Sequence, residues 1–167
     1  FSSENWKRPI KERNYLFKLI KRYFSLELKN IVTQGIKINI FGDINKFTSD
    51  LKFILKKTIK LTKKNKKIIV NLAINYGSKI EILQALKKNN KITTIKEFEK
   101  NLYTKNLPNP DLLIRTGGYQ RLSNFLLWQL AYTELFFLKK LWPDFNFNDL
   151  KKIIKKYKQI RRNFGKI

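Results

Sequence analysis

The chain has 167 residues and a formal net charge of +25, from 37 Lys+Arg against 12 Asp+Glu, with no His, Cys or Met. Without Cys and His there are no disulfides, no thiolate chemistry, no ordinary zinc site and no Ser-His or Cys-His dyad. A hydrophobic content of 43% supplies a core for one domain over residues 1–167 and excludes wholesale disorder.

Thirty of the cations are Lys and seven are Arg. Base readers favour the bidentate guanidinium. The lysine excess, set among many Asn, Ile, Phe and Tyr, therefore reads as a solvated surface of AT-rich coding, and no nucleic-acid partner is expected. No stretch of eighteen apolar residues exists, so no segment is expected to span a membrane. The opening FSSENWKRP has no apolar run behind a basic head and is not a secretory signal. A chain that begins with Phe1 and has no Met is expected to be amino-terminally truncated.

In chain order, Pro9 fits the opening of a helix, where no amide donor is needed. Leu16, Ile20, Tyr23 and Phe24 recur at helical spacing and predict a helix from Lys11 to Asn30. After Gly35, Ile36 to Ile40 alternates with period two, as a strand does, and Gly42-Asp43 closes it in a turn. Thr48 to Lys63 reads as a Lys-rich amphipathic helix. Lys67 to Ile74 is nearly continuously apolar, which predicts a strand covered on both faces. Tyr76-Gly77 breaks it, a helix follows from Ile80 to Lys88, and a short one from Ile95 to Leu102. Asp111 to Ile114 is a third strand. Ser123 to Leu138 reads as an apolar helix, broken by Trp142-Pro143, and Asn148 is expected to cap a last helix to Arg162. Strands alternating with helices imply an α/β fold with a mostly parallel central sheet. Ligands then bind beyond the carboxyl ends of the strands.

Three clusters carry candidate chemistry. Ser2-Ser3-Glu4-Asn5-Trp6-Lys7-Arg8 sets hydroxyls, an amide, an aromatic ring and a cation directly before a helix; an ordinary helix cap also accounts for it. Asn71 to Lys79 places two amides about a strand end and a glycine turn, which turn chemistry also accounts for. In the third, Arg115-Thr116-Gly117-Gly118 follows a strand, and Arg121-Leu122-Ser123 stands where a helix is expected. Two guanidiniums, a hydroxyl and helix amides would make a diphosphate cradle. Glu134 lies in an otherwise apolar run, where a carboxylate calls for a pairing cation or a metal such as magnesium.

FSSENWKRP, NLAINYGSK and PDLLIRTGG, with QRLSNFLLWQLAYTELFF and LWPDF, resemble the cis-prenyltransferases from Phe1 to the closing Arg161-Arg162-Asn163-Phe164-Gly165. The resemblance implies a mostly parallel sheet covered by helices, with a hydrophobic tunnel between them. It implies a Mg2+-dependent enzyme that condenses isopentenyl diphosphate onto farnesyl diphosphate. The product would be a long-chain polyprenyl diphosphate, such as undecaprenyl diphosphate for the cell-wall lipid carrier. It implies a homodimer, in the cytoplasm and peripheral at the inner membrane face. Arg115, Arg121, Leu122 and Ser123 match the isopentenyl diphosphate site, and Glu134 matches a magnesium ligand. Ser2, Ser3, Glu4, Trp6 and Arg8 match a substrate-binding stretch. Asn5 matches the residue assigned as proton acceptor. A neutral amide hardly protonates, so its expected work is to orient a proton-accepting phosphate. The Arg-Arg-x-Phe-Gly end resembles a tail that reaches toward the partner subunit. Leu16, Ile20 and Phe24 are the expected tunnel wall, or plain core.

The chain departs from that pattern. Ser78 and Lys79 stand where the family usually has Gly and Arg, and Tyr119 and Gln120 where it has Glu and often His. The family also opens with a strand leading to Asp-Gly-Asn-Gly-Arg-Trp, which nothing here matches. On the family pattern roughly seventy residues, about half an average domain, are expected before Phe1, and the 167 residues alone are expected to be inactive. Two alternatives stand beside the enzyme: a non-catalytic partner subunit of the same fold, and a basic nucleic-acid-binding module.

Overall fold

The computed structural model describes residues 1–88 and 91–162. The chain divides into two units, Phe1–Lys105 and Asn106–Ile167.

In the first unit a single 3-10 turn over Ser3–Lys7 leads into α1 (Ile10–Thr33), β1 (Ile36–Phe41), α2 (Ser49–Thr62), β2 (Ile68–Ala73), α3 (Ser78–Lys88) and α4 (Ile95–Glu99). The period-two pattern of Ile36 to Ile40 does form a strand. β1 runs parallel to β2, from Ile36 beside Ile68 to Phe41 beside Ala73, with α2 as the crossover. Helices α1 and α2 pack on each other and on β1. Their apolar stripes meet in a core of Phe24, Ile31, Ile38, Phe47, Leu51, Leu55 and Ile74. Leu51 and Leu55 are sealed completely, each worth about 1.5–3 kcal/mol of burial. Two buried threonines tie α2 to the sheet: Thr62 Oγ1 donates to the Thr58 carbonyl at 2.8 Å and accepts from the Ile38 amide at 3.1 Å. Gly42 ends β1 with φ +114°, and a Cβ there would overlap the carbonyl oxygen of Ile74. Only glycine allows the two strand ends to come so close.

The expectation that the second strand is covered on both faces does not hold for the described residues. Ile68 and Ile69 are about half exposed. Val70 and Leu72 of β2 do pack against the helical core, while Ile68 and Ile69 at its start stay open.

In the second unit β3 (Leu112–Arg115) pairs in parallel with β4 (Glu134–Phe137), and α5 (Phe147–Gln159) follows a short 3-10 turn at Trp142–Asp144. The helix predicted from Ser123 to Leu138 is absent. Turns run to Thr133, and the last residues are β4. Ser123, Asn124 and Leu126 have φ of 49°, 61° and 46°, a left-handed conformation in which a right-handed helix cannot continue. The turns bury Leu126, Gln129 and Leu130 and return the chain to the start of β3. Helix α5 is capped by Asn146, not Asn148: the Asn146 side chain accepts from the amides of Asn148 and Asp149. Asn163, Phe164 and Gly165 of the expected tail lie outside the described residues.

Candidate functional site

Each unit presents one cluster of the expected residues. In the first, Asn5 turns its side-chain oxygen back onto Ser2, accepting from the Ser2 amide at 2.7 Å and more loosely from its hydroxyl at 3.3 Å. That oxygen is committed to the turn. The Asn5 Nδ2 donors have no hydrogen-bond partner among the described residues, which suits an amide that donates to an anion. Ser3 Oγ donates to Glu4 Oε2 at 3.1 Å. Arg8 pairs with Glu12 at 3.6 Å on the exposed first turn of α1.

Trp6 is positioned from below. Its indole N–H donates to Asn75 Oδ1 at 2.6 Å, and Asn75 Nδ2 donates to the Asp43 carbonyl at 2.5 Å. The backbone joins in: Asn75 N–H donates to the Phe1 carbonyl at 2.7 Å, and Ser3 N–H donates to that of Tyr76 at 3.0 Å. Asn75 is buried and has φ 51°, a left-handed conformation that asparagine tolerates better than most residues. The Trp6 ring stacks on Phe47 at 5.8 Å, with Arg13 5.4 Å from its centroid. The sequence marked Asn75 as turn chemistry; its role as the clamp on Trp6 spans 69 positions and is visible only in three dimensions.

Two further features of this unit bear on function. An apolar groove of about 400 Å3 runs between α1 and the end of β2, lined by Leu19, Ile20, Tyr23, Phe24, Leu72 and Ile74 among others. Of the expected wall, Ile20 and Phe24 line it and Leu16 does not. The second feature is Glu81, which sequence reasoning missed. It is 2% exposed and accepts from the Tyr76 hydroxyl at 2.6 Å and the Tyr103 amide at 2.8 Å. One carboxylate thus ties α3 to the turn after β2 and to residue 103. The departure at Ser78 is accommodated: it opens α3 fully buried, while Lys79 is exposed.

In the second unit Arg115 ends β3. Its Nη1 donates to the Arg121 carbonyl and, at 3.0 Å, to Ser123 Oγ. The intervening turn needs φ of 92° and 81° at Gly117 and Gly118, and this conformation, not space, requires glycine. The Gly117 and Gly118 amides donate to the carbonyls of Lys140 and Leu138. Since Ser123 opens no helix, the helix amides expected for a cradle are absent, and the polar groups gathered here are side chains. The Arg121 guanidinium lies 4.2 Å from the ring centre of Tyr119. Leu122 is half-buried between Arg121 and Ser123.

Glu134 is not brought to this cluster. It starts β4 beside Leu112, so in a parallel pair it lies three residues, about 10 Å, along the strand from Arg115. Glu134 Oε1 is 3.9 Å from Arg162 Nε. Arg162 also donates to Asp111 at 2.8 Å, to the Tyr157 hydroxyl at 2.7 Å and to the Tyr132 carbonyl at 2.9 Å. The hydrogen bond from Arg162 holds the Asp111 carboxyl below the usual carboxylate range. Among the described residues no three potential ligands cluster. Magnesium nevertheless needs only one or two carboxylates, with water and phosphate oxygens completing its octahedron. The donor chemistry of Glu134 fits that, at the cost of its pairing with Arg162.

The family model for undecaprenyl diphosphate synthase matches residues 1–165. The chain belongs to this prenyltransferase family. It is 40% identical to an isoprenyl transferase of Oceanobacillus iheyensis, over 100% of this chain and 70% of that protein. It is 43% identical to a (2E,6E)-farnesyl-diphosphate-specific ditrans,polycis-undecaprenyl-diphosphate synthase of Pasteurella multocida, over 99% of this chain and 73% of that one. The crystal structure of lavandulyl diphosphate synthase from Lavandula x intermedia, in complex with dimethylallyl diphosphate, superposes with a TM-score of 0.92 at 33% identity, over 99% of this chain and 76% of that one. The α/β fold with parallel strands is thus the family's fold, and the chain is an isoprenyl transferase homologue over its whole length. No helix among the described residues is long and apolar enough to cross a membrane.

Proposed function

We propose that the protein elongates a prenyl chain in cis, condensing isopentenyl diphosphate onto an allylic diphosphate, farnesyl diphosphate, to give a long-chain product such as undecaprenyl diphosphate. The observation that carries this reading is the Arg115–Ser123–Arg121 cluster beyond the carboxyl end of β3. Arg115 fixes the loop, and Ser123 and the two guanidiniums offer donors suited to a diphosphate. In the other unit Asn5 keeps its amide donors for an anion, so it orients a phosphate while the proton leaves to another group. The groove beside α1 offers an apolar wall to a growing chain. Magnesium, when bound, neutralises charge on diphosphate oxygens, and Glu134 is the residue here that would hold it. The reading includes a homodimer, in the cytoplasm and peripheral at the membrane's inner face; the lysine-rich surface favours anionic lipid.

Steady-state kinetics on protein made from the complete coding sequence test it. Arg115→Ala removes charge-assisted hydrogen bonds worth about 1.5–3 kcal/mol, so KM for isopentenyl diphosphate rises about ten- to a hundredfold. An unchanged KM removes Arg115 from the site.

A further inference from the structure

Within that reading, we infer that Tyr119 is a positioning residue for the Arg121 guanidinium and thereby sets the affinity for isopentenyl diphosphate. Arg115 engages the backbone of Arg121, not its side chain. The Arg121 guanidinium makes no ion pair with any described carboxylate, and the contact that orders it is the Tyr119 ring, 4.2 Å from its carbon. Tyr119 is 57% exposed, so it is not a core residue whose ring serves packing. A guanidinium held over a ring face leaves its N–H donors free, and a diphosphate can take two of them. Left free, the same side chain samples many rotamers, and binding must order it.

The loop explains why these two residues meet. The left-handed pair Gly117-Gly118 turns the chain sharply out of β3, and both glycine amides are tied back to residues 140 and 138. Tyr119 therefore leaves a fixed turn. The Arg121 carbonyl is fixed by Arg115, so both ends of the stacked pair are anchored. A carboxylate at position 119 would compete with the diphosphate for Arg121, whereas the neutral ring orders the cation without neutralising it.

The test uses protein from the complete coding sequence, with isopentenyl diphosphate varied at saturating farnesyl diphosphate. An exposed cation–π contact is worth a small factor, so Tyr119→Leu raises the isopentenyl diphosphate KM about two- to fivefold. The farnesyl diphosphate KM and kcat stay within about twofold, because the effect is on ground-state binding of one substrate. Tyr119→Phe, which keeps the ring, restores the wild-type KM. In an Arg121→Ala background, Tyr119→Leu adds nothing. An Arg121→Ala variant with reduced affinity beside a silent Tyr119→Leu overturns the positioning role alone. So does Tyr119→Leu acting equally with Arg121 absent. An Arg121→Ala variant with unchanged affinity overturns the diphosphate reading itself.

Discussion

Asn75→Ala is the most informative single change in the first unit. It deletes the acceptor for the Trp6 indole and the donor to the Asp43 carbonyl. Each net hydrogen bond is worth about 1 kcal/mol, and the Asp43 carbonyl left behind costs about 1 kcal/mol more. Alanine at φ 51° adds up to about 1 kcal/mol, because it lacks the local hydrogen bonding that lets asparagine occupy this region. Trp6 is only partly buried, so water recovers some of its lost bond. The expected destabilisation is therefore about 3 kcal/mol. Urea denaturation followed by circular dichroism measures it, and the Trp6 indole N–H resonance reports the local change. A Trp6→Phe, Asn75→Ala double-mutant cycle should show a coupling of about 1 kcal/mol. A loss below about 0.5 kcal/mol, with an unshifted Trp6 resonance, would refute the clamp.

Three further outcomes follow from the same geometry. Gly42→Ala forces a Cβ into the Ile74 carbonyl at φ +114° and should cost about 3 kcal/mol or more, read as a fallen denaturation midpoint; a neutral Gly42→Ala would mean the strand ends are further apart than described. Asp111 is ionised more readily in the native state than its usual value of about 3.9, so the stability it adds is present above that value and is lost as pH falls through the lower native one. The melting-temperature advantage of the wild type over Asp111→Asn should therefore fade on acidification below about pH 4, and an advantage that grows there would exclude the Arg162 pairing as its source. Glu134→Gln should raise the magnesium concentration for half-maximal rate about tenfold, and an unchanged dependence removes Glu134 as a ligand.

Much of the first unit was legible because local and tertiary demands agree there. The stripe of Leu16, Ile20 and Phe24 and the alternation of Ile36 to Ile40 each fit only one period, and both elements form near the expected bounds. The run from Ser123 to Leu138 was not legible. Apolar residues in near-continuous order suit a buried helix and a buried strand equally, and periodicity cannot separate them. Pairing decides: β3 offers an open edge, and Glu134 to Phe137 satisfies its backbone by lying parallel to it. That choice leaves the preceding residues in left-handed turns, without the helix amides expected at Ser123.

The candidate site divides in the same way. The residue types proposed for diphosphate binding, Arg115, Arg121 and Ser123, stand close in sequence, so a local motif sufficed to single them out. Asn75 under Trp6, Glu81 between two tyrosines and Tyr119 on Arg121 have meanings that depend on which atoms face each other. By itself the sequence pointed to the family through the resemblance of its motifs, and gave the α/β alternation and the local chemistry of each cluster through short-range spacing. Only the tertiary structure decided that the side-chain oxygen of Asn5 is already taken, which cation Glu134 faces and that Glu134 lies at the other end of the strand pair from Arg115. Those depend on register and packing between segments distant in the chain, which no local pattern encodes.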